Sequence, residues 1–205
     1  MRPLPRLFAF TDRSVRIGPR TGHAAAQIAE LGPAVALVAR DHSATAAELT
    51  DCAAAFHVHA RACEAALVVS SRPDIAAAVG AQGVHLRARD LSPDDARVVF
   101  PDGWIGRSAH SAVEAAQARD EGADYLVVGP IFQTASHPDA TPAGVGLIES
   151  VVSLELPIIA IGGITPERAA LVCEAGAWGV AVISALWTAH RPAAVAARLL
   201  EPWSE

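Results

Sequence analysis

The chain has 205 residues, 52% of them hydrophobic, with a net charge of −6 and a pI near 5.7. That length suits one domain spanning 1–205, no uncharged apolar stretch of about 18 residues suits a bilayer, and the acidic balance argues against a nucleic-acid surface. All sixteen basic residues are arginine, so Schiff-base chemistry, which needs a lysine amine, is excluded.

In chain order, apolar runs occur at 7–11, 34–39, 65–70, 83–86, 104–108, 125–129, 157–162 and 179–184, each followed by a stretch with helical patterning. The runs are apolar almost throughout, the pattern of parallel strands covered on both faces. Helix starts are marked at Ser92-Pro93 and at Thr165-Pro166, a capping residue followed by proline at the first helical position. Eight strand-helix units predict a closed (β/α)8 TIM barrel. The opening MRPLPRLFAFTD lacks the long apolar region of a secretory signal, which makes the cytoplasm the expected location. Cys52, Cys63 and Cys173 are odd in number and scattered, and read as small apolar residues.

In such a barrel the chemistry sits at the carboxyl ends of the strands. There Gly162 and Gly163 let the backbone turn and approach a ligand, with a helix beginning at Thr165 or Pro166 nearby, while Ser184 ends the eighth run. Together they predict a phosphate site; the simpler alternative is that the glycines only end a strand. His110, in IGRSAHS, either does chemistry or caps the helix beginning near Ser111. His137 lies in a proline-containing loop that is either a lid or a surface connection. His85 reads as structural, and His57 with His59 as a surface pair short of metal ligands. Arg40 is either an anion ligand or the partner of Asp41 or Asp12; Arg107 is expected to support the barrel interior.

The segments FTD (10–12), GAQGVHL (80–86), IGRSAHS (105–111), GADYLVVGPIFQT (122–134), LPIIAIGGITPE (156–167) and AGAWGVAVISAL (175–186) together resemble the thiamine phosphate synthase/TenI family over residues 8–186. The resemblance implies a thiazole phosphate ligand, its phosphate on Gly162, Gly163, Ile183 and Ser184, with Thr134 near the ring and Arg40 and Ser108 in the substrate pocket. It also implies a choice between two activities. The synthases couple hydroxymethylpyrimidine diphosphate to thiazole phosphate, using Mg2+ and positive charge on the departing pyrophosphate. Of the Gln-x-Arg-x-Lys pattern of that branch only Arg40 stands here, with His42 in place of the lysine. Ser70 and Ser71 replace an Asn-Asp pair, His137 replaces a further lysine, and only Asp90 remains of the metal carboxylates. Loss of one preorganised contact costs about 3–4 kcal/mol, which places synthase chemistry last unless Arg87 and Arg89 replace the missing charge. TenI-type tautomerisation needs an acid and base but no metal; the histidine of that branch is Pro130 here, leaving His110 and His137 as candidates. The expected order is a tautomerase-like enzyme, then a non-catalytic thiazole phosphate binder, then a synthase. No cofactor is expected, save Mg2+ at Asp90 if synthase activity is retained. A homodimer joined through exposed Trp187 and Trp203 is a further expectation.

Overall fold

The computed structural model describes residues 3–12, 15, 18–134 and 141–204. Eight parallel strands among them close into a barrel in chain order: β1 (Leu7–Phe10), β2 (Val35–Ala39), β3 (Ala66–Ser70), β4 (Gly83–Leu86), β5 (Trp104–Ala109), β6 (Tyr125–Val128), β7 (Ile158–Ile161) and β8 (Gly179–Val182). β8 pairs with β1, Val180 beside Leu7, which leaves no sheet edge. The helices are α1 (Pro19–Ala29), α2 (Ala46–Ala62), α3 (Pro73–Ala78), α4 (Pro93–Val99), α5 (Ala112–Asp120), α6 (Gly146–Val151), α7 (Pro166–Glu174), α8 (Ser184–Trp187) and α9 (Pro192–Leu200). None of the described helices is long and apolar enough to cross a membrane.

The wholly apolar strands serve two cores at once. Leu7, Ala9, Val35 and Leu37 face the helices, whereas Phe8, Phe10, Ala36 and Val38 fill the barrel. This is the strand period of two applied to a sheet buried on both faces. The interior is filled by Phe8, Trp104 and Tyr125, and the Tyr125 ring occupies the place of the side chain that Gly106 lacks. At the amino end Arg6 stacks 3.5 Å above the Trp178 ring and donates to the Trp178 carbonyl at 2.7 Å, while the Trp178 indole donates to Leu4 O. Arg6 and Trp178 thus cover the amino end of the barrel, opposite the cavity at the carboxyl ends of the strands.

Local signals act as the sequence predicts at α4, where the Ser92 hydroxyl accepts from Asp95 N at 3.2 Å and Pro93 follows. Thr165 does occupy the cap position of α7, but its side chain does not accept from that helix's backbone. The expectation of exposed tryptophans is overturned. Trp187 is 6% exposed, stacks on Phe56 with ring centroids 5.6 Å apart, and donates to Phe10 O at 2.7 Å. Trp203 is half-buried and donates to Ala177 O. Large amphipathic rings close to the end of a chain find partners under the barrel helices, which the local sequence does not reveal.

Candidate functional site

The carboxyl ends of the strands surround one cavity of about 890 Å³. It is lined by Arg40, Asp90, Ser108, His110, Thr134, Gly162, Gly163, Ile183 and Ser184, residues drawn from the ends of six strands and the connections that follow them. His137 lies outside the described residues.

One end is built on β7 and β8. Gly162 has φ +99° and Gly163 φ +62°, values that side chains rarely adopt. A second demand comes from the chain after β6, which crosses directly over them. Ile131 N–H donates to Ile161 O at 2.8 Å and Phe132 N–H to Gly162 O at 3.0 Å, and a Cβ at Gly162 would stand 2.7 Å from the Pro130 Cα. Both glycines also line the cavity. Arg168 on α7 braces this corner: it donates to Gly163 O at 2.8 Å and lies 4.8 Å over the Phe132 ring. Thr134 and Thr141 face the same space.

The other end is built on the connections after β2 and β4 and is cationic. The Thr11 hydroxyl ties β1 to β2, accepting from Arg40 N at 2.9 Å, and Arg40 Nη1 donates to Thr11 O at 3.2 Å. Arg40 Nε donates to His42 Nε2 at 3.1 Å, and Arg87 Nη1 lies 3.3 Å from His42 Nδ1. Burial lowers the Arg40 pKa and the Arg87 charge adds to that, opposed by Asp12 and Asp41. Asp12 and Asp41 thus act on Arg40 through charge, while its hydrogen bonds go to Thr11 and His42. Arg107 corrects its expectation more fully. Its guanidinium leaves the barrel interior and clamps the connection after β4, donating to Ala88 O at 3.0 Å, Asp90 O at 3.3 Å and Leu91 O.

Asp90 is gripped by Arg87 through four contacts, Nη2 to Oδ1 at 2.9 Å, Nε to Oδ1 and Oδ2 at 3.1 and 3.2 Å, and backbone N to Oδ2 at 2.8 Å, with its side chain 10% exposed. Burial alone would raise its carboxyl pKa, but hydrogen bonds from Arg87 and Ser71 outweigh this and hold it below the usual value. Both oxygens are therefore occupied, serines stand at 70 and 71, and no group of three His, Cys, Asp or Glu able to hold a metal occurs among the described residues. Asp90 would therefore hold a Mg2+ only together with substrate phosphate oxygens and water.

Between the two ends lie His85, Ser108 and His110. His85 is 3% exposed, with Nε2 2.9 Å from the Ser108 hydroxyl. Burial, with a smaller contribution from Arg40, pushes its pKa down to about 3, so it stays neutral and fixes the serine rather than carrying protons. His110 Nδ1 lies 2.6 Å from Gly129 O. A carbonyl only accepts, so Nδ1 carries a proton, and in the neutral ring the lone pair is on Nε2. The capping alternative goes to its neighbours: Ser111 caps α5 by accepting from Glu114 N, and Glu114 accepts from His110 N at 2.7 Å. His57 and His59 are half-buried on α2.

A sequence model described as Thiamine monophosphate synthase matches residues 7–186. The chain belongs to that family. It is similar to the Thiamine-phosphate synthase of Methanoculleus marisnigri, 40% identical over 88% of this chain and 86% of that protein. It is also 49% identical, over 140 residues, to the Thiamine biosynthesis bifunctional protein ThiM/ThiE of Symbiobacterium thermophilum, with 67% of this chain matched to 29% of that longer protein. Among solved structures it resembles the thiamine phosphate pyrophosphorylase of Pyrococcus furiosus, at TM-score 0.85 and 32% identity over 96% of this chain and 94% of that one.

In the sequence His42 stands only at the position of a lost lysine. Arg168 carried no signal of its own, because the Phe132 ring it covers lies in another strand-helix unit, and the FTD segment marked Thr11 without showing that it holds Arg40.

Proposed function

We propose that the protein couples a hydroxymethylpyrimidine diphosphate to a thiazole phosphate. The observation that carries this reading is the two-ended cavity, with a glycine- and serine-lined phosphate corner on β7 and β8 and a cluster of Arg40, His42 and Arg87 on the connections after β2 and β4. Two phosphorylated substrates call for two separate anion sites, and a single phosphorylated thiazole calls for one. The names of the relatives support the same reading, which reverses the order expected from the sequence. The missing lysines were counted there as lost charge; in the fold, the arginine of the connection after β4 stands beside that after β2.

In the coupling step the bond between the pyrimidine's methylene carbon and the diphosphate oxygen breaks, its electron pair leaves with the diphosphate, and the thiazole ring supplies the pair for the new bond. Negative charge grows on the diphosphate, and the guanidinium groups of Arg40 and Arg87 stabilise it as preorganised donors. Ser108, fixed by His85, offers a hydroxyl between the two ends. The phosphate corner holds the thiazole still, converting an encounter of two substrates into a positioned reaction.

The test is direct coupling of the two substrates by the purified protein, with and without Mg2+, measuring thiamine phosphate and pyrophosphate in equal amounts. Arg40→Met and Arg87→Met are each expected to lower kcat by about 10²–10³-fold, the cost of one such donor. Tight binding of thiazole phosphate with no turnover under either condition would overturn the reading.

One observation favours a second reading, tautomerisation of a thiazole phosphate. His110 is docked on Gly129 O, immediately before Pro130, with Nε2 left as a base. Loss of tautomerase turnover in His110→Ala, in a protein that does not couple, would establish it.

A further inference from the structure

His42 stands between two guanidinium groups, Arg40 Nε 3.1 Å from its Nε2 and Arg87 Nη1 3.3 Å from its Nδ1. Guanidinium nitrogens only donate. A neutral imidazole offers one lone pair and one N–H, and a protonated one offers no lone pair at all. At most one of the two contacts is therefore a hydrogen bond, and the other sets donor against donor. The nearby acceptors are engaged. Asp41 accepts from the backbone N–H and the hydroxyl of Ser43 at 2.8 and 2.7 Å, and Asp90 is held by Arg87. The charged groups acting on His42 are Arg40 and Asp41 from its own connection and Arg87 and Asp90 from the one after β4, with Arg89 on the same cavity wall. What the cluster lacks is an acceptor with several oxygens, the chemistry of a diphosphate.

We propose that His42 takes up a proton as the diphosphate of the two-substrate reading arrives between Arg40 and Arg87. The inference rests on the two-substrate reading of the cavity and adds a property which that reading does not require. Without the anion, burial and then the two arginine charges hold the imidazole below its ordinary pKa. A multiply charged anion at hydrogen-bond distance reverses the sign of the local field and favours imidazolium. A lysine at this position would be charged in both states. The histidine carries its charge only while the anion is present, so departure of pyrophosphate removes both the ligand and the charge that holds it.

The experiment is calorimetric titration of the full chain with inorganic pyrophosphate near pH 7.5, repeated in buffers of different ionisation enthalpy and across pH 6–9. Wild type, His42→Lys and His42→Gln are compared, so that the probe's own titration, common to all three, cancels. Wild type is expected to take up as much as one proton more than either variant, and its affinity to fall by up to roughly tenfold per pH unit relative to His42→Lys. Pyrophosphate binding with the same proton uptake in all three proteins would overturn the role of His42 while leaving the two-substrate reading in place. No binding of pyrophosphate to wild type or to His42→Lys, with or without Mg2+, would overturn both.

Discussion

Replacing Gly162 with alanine tests whether the phosphate corner is held by the chain that crosses it. Two costs add. Forcing an L side chain to φ +99° costs about 1–2 kcal/mol, and pressing a methyl 2.7 Å from the Pro130 Cα, backbone rather than a flexible side-chain tip, costs about 1–3 kcal/mol more. The sum, about 2–5 kcal/mol, is a large part of the roughly 5–15 kcal/mol that holds a domain folded. Two glycines separate the costs. Gly144 has φ +72° with nothing described within 4 Å of its missing Cβ, so Gly144→Ala bears only the first cost, about 1–2 kcal/mol. Gly146 opens α6 without positive φ and with open space, so its alanine variant gains about 0.4–1 kcal/mol. Urea unfolding followed by circular dichroism measures all three, and Gly162→Ala should lower Tm by about 4–20 °C for a chain of this size. Thiazole phosphate affinity should fall with it. If Gly162→Ala proves no less stable than Gly144→Ala, the crossing segment yields freely and the packing argument is wrong.

His85 makes stability depend on acid: its folded pKa is pushed down to about 3, whereas the unfolded value is ordinary, near 6.5. Between these values the unfolded chain binds the proton and the folded one does not, so the contribution is complete above pH 6.5 and is lost as pH falls toward 3, by about 1.4 kcal/mol per pH unit. Unfolding free energies from pH 4 to 8 should show that slope in wild type and a shallower one in His85→Gln; equal slopes would refute it. Trp187→Ala removes a stacked, hydrogen-bonded and buried ring and should cost about 3–5 kcal/mol in the urea transition, whereas a cost under about 1 kcal/mol is what an exposed residue would give. Arg107→Met frees the connection after β4 that carries Arg87 and Asp90. In the coupling assay it should raise KM for the pyrimidine diphosphate and leave thiazole phosphate affinity unchanged, and an equal effect on both substrates would count against a role confined to that connection.

The barrel was legible in the sequence because its determinants are local. Apolar runs such as VALVA and ALVVS can be satisfied only with cover on both faces, and Ser92-Pro93 starts a helix through contacts within four residues. The turn at the end of β7 was legible for the same reason, since two adjacent glycines between a strand and a helix state a backbone requirement, and both have positive φ. The partners of those glycines were not: Pro130 and Phe132 meet them only because β6 lies beside β7 in the closed barrel. The cationic end depended on the fold altogether. Arg40 and Arg87 are 47 positions apart in the chain and act on one imidazole because successive strand ends converge on one mouth, so a position that reads as a lost lysine becomes the centre of a charge cluster. Sequence determines which residues stand at the strand ends; which of them share a field, and therefore a proton or an anion, is decided by distances that exist only after the barrel closes.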